Sequence, residues 1–445
     1  MRTSTLAALA LGAAAASAAS VKRASGLTAV TVKGNAFFVG DDRFYIRGVD
    51  YQPGGSSEVA DPIADEAGCK RDIVEFKKLG INTVRVYHVD NTADHDACMS
   101  ALADAGIYLV LDVNLPKYSL NRADPNPSYN DVYLQNVFAT IDAFANYTNT
   151  LAFFSGNEVI NDPETSAAAP YVKAVTRDMR QYIRKRGYRE IPVGYSAADV
   201  SENRLEMAHY MNCGSDDERS DFFAFNDYSW CDPSSFVQSG WNEKVKNFTG
   251  YGLPIFLSEY GCNHATRDFE EVGALYSTDM SSVYSGGLIY EYVEEDSKYG
   301  LVEISGDSVT ELDDFATLQK MFSKTSNPQG DGGYNATAGS SACPAYSSPN
   351  WLVKDDSLPA IPDGAKKYMT QGAGKGAGLD GSGSQNAGGA STGTATAGSG
   401  SASETGKSSS TKNAAVGVQV PEWSFAPLVC GAVVIMSTLF GATLL

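Results

Sequence analysis

The sequence predicts a (β/α)8 barrel. Three observations carry that prediction. First, from about residue 35 to 325, strand-like apolar runs alternate with apolar stripes at helical spacing. Second, there are eight such runs, at 44–52, 81–89, 107–114, 151–159, 191–199, 222–230, 254–262 and 286–295. Third, two of them end on a glutamate, in Gly156-Asn157-Glu158 and in Ser258-Glu259-Tyr260-Gly261. Carboxylates at strand C-termini lie on the face where such barrels carry chemistry. The alternative is an open doubly wound sheet. Against it, Gly48-Val49-Asp50-Tyr51-Gln52-Pro53-Gly54-Gly55 lacks the spacing of a dinucleotide loop after the first run.

Taken in order, Met1-Arg2-Thr3, a Leu/Ala run and Ala16-Ser17-Ala18 read as a secretory signal over 1–19. Lys22-Arg23 is a further dibasic processing point. The barrel spans 20–325. Within it Ile73, Phe76 and Leu79 recur at helical spacing before Gly80, a C-cap. Val137, Ile141 and Phe144 do the same before the fourth run, and Val172, Val175, Met179 and Ile183 form a stripe ending at Gly187. These stripes are core faces. Residues 326–371 hold Cys343, Tyr346, Trp351 and Leu352 and read as an irregular C-terminal strap on the barrel. Residues 372–412 are mostly Gly, Ser, Ala and Thr with few apolar residues, which bury no core, and read as a disordered, O-glycosylated linker.

The end of the chain has the order of a glycosylphosphatidylinositol (GPI) attachment signal over 413–445. Small residues Asn413-Ala414-Ala415 precede a spacer at 416–424 and an uncharged apolar tail at 425–445. Asn413 is the expected attachment residue, with Gly406 and Ser408, Ser409 and Ser410 as neighbouring alternatives. A retained transmembrane helix is the other reading of the tail. No basic residue follows it, as one usually would after a stop-transfer helix. The expected location is therefore the outer leaflet of the plasma membrane, with the cell wall as a further destination.

Net charge is −19 and the isoelectric point is near 4.6. That balance argues against nucleic acid or an anionic membrane surface as partner and permits a neutral polymer such as a polysaccharide. The 24 tyrosines suit sugar stacking as well as core packing. Of seven cysteines, Cys430 lies in the tail. The remaining six, an even set in an exported chain, imply disulfides. Asn146, Asn247 and Asn335 open N-glycosylation sequons.

Two glutamates on different strands supply what glycoside chemistry needs, a proton donor and a nucleophile or base. Asn157 precedes the first and fits a donor to a sugar 2-hydroxyl. Tyr228, near the end of the sixth run, has a hydroxyl able to hold Glu259. Arg85 and Tyr87 share a face of the second run. Arg85 is a cation able to keep Glu259 ionised. Tyr290 and Tyr292 share a face of the eighth, so one of them is expected at a donor sugar. His88, His95, His209 and His264 match no metal spacing, and no Gly-x-Ser-x-Gly elbow occurs. No metal and no cofactor are expected.

The succession Gly48-Val49-Asp50-Tyr51-Gln52, Val84-Arg85-Val86-Tyr87, Leu111-Asp112-Val113-Asn114, Gly156-Asn157-Glu158, Asn226-Asp227-Tyr228-Ser229-Trp230-Cys231, Ser258-Glu259-Tyr260-Gly261-Cys262 and Tyr290-Glu291-Tyr292 resembles glycoside hydrolase family 72. These are fungal GPI-anchored cell-wall β-1,3-glucanosyltransferases of the Gas/Gel/Phr type. Only Cys343 and Cys430 follow the barrel, not the cysteine-rich stretch of members with a Cys-rich carbohydrate-binding module, so the chain resembles the shorter subgroup. The resemblance implies Glu158 as acid/base and Glu259 as nucleophile of a retaining enzyme. It implies sugar contacts from Gln52, Asp112, Asp199 and Arg204, and from Asn114, Tyr118 and Asn121 of the loop after the third run. It further implies the pairs Cys69–Cys98, Cys213–Cys343 and Cys231–Cys262. Cys231 and Cys262 also end neighbouring strands, where a bond is geometrically natural. The implied partners are β-1,3-glucan donor and acceptor chains, served by a monomeric catalytic domain. The other readings are a plain endoglucanase of similar fold and a non-catalytic wall protein that binds glucan.

Overall fold

The structure is a computed structural model and describes residues 26–55 and 59–395. A three-stranded antiparallel sheet comes first: β1 (Val30–Lys33), β2 (Ala36–Val39) and β3 (Asp42–Phe44). Eight parallel strands then close into a barrel. They are β4 (Ile46–Asp50), β5 (Thr83–Val86), β6 (Tyr108–Asp112), β7 (Thr150–Asn157), β8 (Val193–Ala198), β9 (Phe222–Asp227), β10 (Ile255–Tyr260) and β11 (Tyr284–Ile289). The strands follow chain order around the barrel, and β11 pairs with β4 to close it. Each expected run overlaps one of these strands, so the closed barrel replaces the open sheet. A hairpin, β12 (Val302–Ser305) and β13 (Ser308–Glu311), follows.

The helices are α1 (Glu66–Leu79), α2 (Asp96–Asp104), α3 (Pro125–Ser128), α4 (Asp131–Phe144), α5 (Ala169–Lys185), α6 (Arg204–Met211), α7 (Trp241–Phe248), α8 (Glu271–Leu275), α9 (Asp313–Lys324) and α10 (Tyr368–Gln371). The sequence stripes are their inner faces. Ile73, Phe76 and Leu79 of α1 are buried. Asp65 caps this helix by accepting from the Gly68 amide, and Gly80 ends it at φ 72°, a left-handed conformation that glycine adopts without a Cβ clash.

The barrel interior is a separate apolar layer of Ile46, Val110, Phe154, Phe222, Phe256 and Leu288. Phe37 of β2 enters it from below, with its ring 5.9 Å from Phe256 and 6.1 Å from Phe222. The N-terminal end of the barrel is therefore filled by side chains. Polar groups gather at the other end, where the strands finish.

Three disulfides join Cys69 to Cys98, Cys213 to Cys343 and Cys231 to Cys262, as the family resemblance implies. The second ties the end of α6 to the C-terminal strap. Trp351 of that strap is fully buried, with its ring 5.4 Å from Tyr210. The expected linker differs from the structure in its first part. Residues 373–395 do not leave the barrel at 372. The Ala373 amide donates to the Tyr182 hydroxyl at 2.9 Å, and Ala390 and Thr394 form bridges with Asn130 and Pro359. The expected signal at 1–19, Lys22-Arg23, the linker from 396 onward and the 413–445 segment with Asn413 lie outside the described residues. Among the described residues no helix is long and apolar enough to cross a membrane.

Candidate active site

Both glutamates stand where their strands end. Glu259 lies in β10, and Glu158 directly follows β7. Parallel pairing of β5 with β4 and β6 brings Arg85 and Asp112 to the same end. Glu259 is 8% exposed. Its Oε1 accepts from the Tyr87 hydroxyl at 2.8 Å and from Arg85 Nη1 at 3.2 Å. Its Oε2 accepts from the Tyr228 hydroxyl at 2.7 Å. Burial pushes the carboxyl up to about 7; Arg85 opposes the rise, Glu158 adds to it, and the two phenols oppose it.

Arg85 is completely buried and spends every arm of its guanidinium. Nε and Nη2 donate to the two oxygens of Asp112 at 2.8 and 3.2 Å, while Nη1 also reaches the Ser258 carbonyl at 3.2 Å. The plane lies over Phe154, the top of the apolar interior, at 4.6 Å, and against Tyr87 at 4.2 Å. A buried cation of this kind persists only with full pairing. Asp50, its register partner on β4, is fully buried, and its carboxyl has no hydrogen-bond partner among the described residues. Burial pushes that carboxyl well above the usual range, with Arg85 opposing the rise, and the hydrogen bonds of Arg85 go to Asp112 and Glu259 instead.

Glu158 is organised by a small polar network. Asn226 Nδ2 donates to its Oε1 at 2.9 Å and to Asn157 Oδ1 at 3.1 Å. Asn157 Oδ1 also accepts from Ser196 Oγ at 2.6 Å and Arg85 Nη2 at 3.1 Å. Its oxygen is thus saturated, which leaves the Nδ2 amide as the atom to donate to a bound hydroxyl. Ser196 and Ser258, 2.8 Å apart and both in contact with Asn226 Oδ1, complete the network.

The remaining expected residues divide. Tyr290 is half-buried at the mouth, in edge contact with Tyr228 and Tyr299 at 6.2 and 5.3 Å. Tyr292 is not at the mouth. It is fully buried against Tyr51 and Phe76, and its hydroxyl donates to Asp72 of α1 at 3.1 Å. The alternation fails because β11 stops at Ile289, so the two residues do not share a strand face. Gln52 accepts from the Tyr87 and His88 amides and donates to the Ala60 carbonyl, bracing the strand end that carries Tyr87. Asp199 and Arg204 pair with each other on the rim, and Lys244 bridges Asp199 to Asp227 at 2.6 Å from each.

Asn114 is satisfied by the Ser155 carbonyl and the Tyr133 hydroxyl. Tyr118 is 3% exposed, with its hydroxyl against the C-terminal segment, so the sugar contact implied for it is not available. Asn121 is exposed and turns back on its own loop. His95 pairs with Asp61 at 2.7 Å.

Asn226, Ser196, Ser258 and Tyr299 belong to the site although their types alone did not mark them. The serines and the asparagine carried a signal, as small polar residues inside otherwise apolar barrel strands. Tyr299 carried none, since it arrives on a loop. The cluster amounts to two carboxyl groups, one held by a cation and two phenols and the other by an amide, under an aromatic rim. That is equipment for acid-assisted displacement at a sugar carbon.

Residues 19–326 match the family described as Glucanosyltransferase, glycoside hydrolase family 72. The chain is 71% identical over 442 residues to the 1,3-beta-glucanosyltransferase gel1 of Aspergillus fumigatus, covering 98% of each. It is 56% identical over 359 residues to the 1,3-beta-glucanosyltransferase GAS5 of Saccharomyces cerevisiae, covering 80% of this chain and 74% of that one. Its fold is similar to the crystal structure of Saccharomyces cerevisiae Gas2p in complex with laminaritriose and laminaritetraose. The TM-score is 0.70 at 41% identity, over 75% of this chain and 77% of that chain.

Proposed function

The chain belongs to the glycoside hydrolase family 72 glucanosyltransferases, and from that premise we propose how its site cuts and rejoins β-1,3-glucan. Glu158 protonates the departing glycosidic oxygen while Glu259 attacks the anomeric carbon. A covalent glycosyl-enzyme forms and the reducing-end fragment leaves. Glu158, now ionised, takes the proton from the 3-hydroxyl at the non-reducing end of a second chain. That oxygen displaces Glu259, and the acceptor is elongated with retained configuration. Asn157 donates to the 2-hydroxyl of the reacting sugar. Tyr228 and Tyr87 fix the attacking oxygens of Glu259.

The observation that carries this reading is the asymmetric support of the two carboxyls. A cation and two hydroxyls serve the attacking group, and a single amide serves the acid. Incubation with a reduced laminari-oligosaccharide, sized by chromatography, tests it. Products longer than the substrate are expected. Hydrolysis alone would leave the endoglucanase reading, and Glu158→Gln or Glu259→Gln with full turnover would remove the catalytic assignment.

The protein acts at the cell surface, exported by the 1–19 segment and held by a GPI lipid at Asn413 through the 396–412 stretch. The supporting observations are the small-residue, spacer and apolar order of the C-terminal segment and the disulfide-bonded barrel. Asn146, Asn247 and Asn335 are all exposed, as glycan-bearing residues must be. The catalytic domain works as a monomer. Release from cells by phosphatidylinositol-specific phospholipase C checks the anchor; retention after treatment would favour a spanning helix.

A further inference from the structure

Glu158 adopts a left-handed backbone at φ 47°, unusual for a residue with a side chain and stable only where the surroundings fix it. Three contacts fix it. Its amide donates to the Ser196 carbonyl at 2.9 Å, and Asn226 Nδ2 reaches its carboxyl at 2.9 Å. Both of those come from barrel strands. The third comes from outside: Arg122 Nη2 donates to the Glu158 carbonyl at 2.9 Å.

Arg122 is exposed and ends the loop after β6, which has no strand of its own to hold it. Leu115 and Tyr118 exchange backbone hydrogen bonds at 3.1 and 2.9 Å and close the loop on itself. Its ends are held by the barrel wall, through Asn114 to Ser155 and Tyr133 and through the Asn121 amide to Ser128 Oγ at 2.8 Å, and its middle by the C-terminal segment. The Ser384 amide donates to the Lys117 carbonyl at 2.9 Å, Gln385 Nε2 to the Ser119 carbonyl at 2.8 Å, and the Gly383 amide to the Tyr118 hydroxyl at 3.2 Å.

That segment is itself fastened to the barrel on both sides of the loop. Its Gly378 amide donates to Asn91 Oδ1 at 3.1 Å and its Gly389 amide to Asp131 Oδ1 at 2.8 Å. Ser384 is fully buried. The glycines serve close approach. A Cβ at Gly376, Gly381 or Gly388 would stand 2.0, 2.1 or 2.1 Å from Asn91 Oδ1, the Tyr118 hydroxyl oxygen or Asp131 Oδ1. A composition that suggests a linker is here a packing requirement.

We propose that residues 376–389 are a positioning strap for the acid/base residue, acting through the loop after β6 and Arg122 on the backbone of Glu158. The proposal rests on the assignment of Glu158 as acid/base.

The test uses the full secreted chain with Gly381→Val, Arg122→Ala and Arg122→Lys, and two donors. One is a reduced laminari-oligosaccharide, whose leaving group needs a proton. The other is a 2,4-dinitrophenyl β-laminarioside, whose leaving group does not. Gly381→Val and Arg122→Ala should lower turnover of the oligosaccharide on the order of ten- to a hundredfold. The dinitrophenolate burst should stay within about twofold of the parent, because glycosyl-enzyme formation from this donor needs no acid. Arg122→Lys keeps a donor and should recover most of the loss. Thermal melts check folding, and if Gly381→Val fails to fold, the exposed Arg122→Ala decides.

Unchanged oligosaccharide turnover, or equal loss on both donors, would overturn the proposal. Glu158→Gln run in parallel separates the two claims. Full oligosaccharide turnover in that variant would refute the acid/base assignment itself. Its loss, with Arg122→Ala and a folded Gly381→Val unaffected, would refute the strap alone.

Discussion

Two demands meet at Glu259. It must be ionised to attack, yet it is buried at the end of β10, and burial pushes its carboxyl up to about 7. Arg85 and the hydroxyls of Tyr228 and Tyr87 oppose that rise and keep it from going further. The buried guanidinium does this as a rigid fork, reaching Asp112 with two nitrogens and Glu259 with the third, a geometry lysine does not reproduce. A carboxyl with a raised pKa is protonated, and so inactive as a nucleophile, over a wider range on the acid side. The acid limb of kcat/KM therefore belongs to Glu259. Tyr228→Phe removes the 2.7 Å donor from the charged form, which moves the pKa further up. The acid limb should shift upward by roughly one pH unit with the alkaline limb in place. A pH profile on the oligosaccharide measures this, and an unmoved acid limb would show that Tyr228 does not support the charge.

At the scale of elements, what was legible followed from periodicity and what was not followed from its end. Every barrel strand overlaps an apolar run, because buried parallel strands require continuous apolar sequence. The helical stripes of α1, α4 and α5 are buried faces for the related reason of a 3.6-residue repeat. Arg85 of β5 and Tyr87, one residue past its end, meet Glu259 together, so the alternation still holds there. The same argument fails six residues after β11 begins, where the chain leaves the ladder and Tyr292 turns into α1. Tyr118 fails differently: nothing in a polar loop tells that a segment more than 260 residues later covers it. The exchange of roles at the eighth strand is measurable. Tyr292→Ala should destabilise the fold by about 3–5 kcal/mol, as loss of a buried aromatic does. Tyr290→Ala should cost on the order of 1 kcal/mol or less while reducing turnover of glucan, since this ring lies half-buried at the mouth. Urea melts and initial rates on the two variants separate these outcomes, and the opposite pattern would restore Tyr292 to the site.

Over the whole molecule, the described residues leave one end of the barrel to act. Phe37 and its sheet fill the N-terminal end, helices and disulfides surround the wall, and residues 373–395 hydrogen-bond to the loop after β6. At the open end Tyr228, Tyr290 and Tyr299 form a mutually edge-on trio with centroids 5.3–6.2 Å apart. Tyr228 is hydrogen-bonded to Glu259, so the trio adjoins the nucleophile. This arrangement bears on the choice between transfer and hydrolysis. Water stands at about 55 M, so a sugar hydroxyl captures the glycosyl-enzyme only if binding gives it an effective molarity well above that figure. Aromatic faces supply such binding to a sugar ring and displace water in doing so. Tyr299 arrives on a loop and, unlike Tyr228, makes no hydrogen bond to either glutamate among the described residues, so its removal leaves the hydrogen bonds of the reacting groups in place. In Tyr299→Ala, cleavage of the donor should persist within a few-fold while the ratio of elongated to hydrolysed product falls about tenfold, the equivalent of roughly 1.4 kcal/mol of acceptor binding. Raising the acceptor concentration should restore the ratio, because the defect is one of occupancy. Equal loss of both products at every acceptor concentration would instead place Tyr299 with the donor, and the transfer specificity would have to come from elsewhere on the rim.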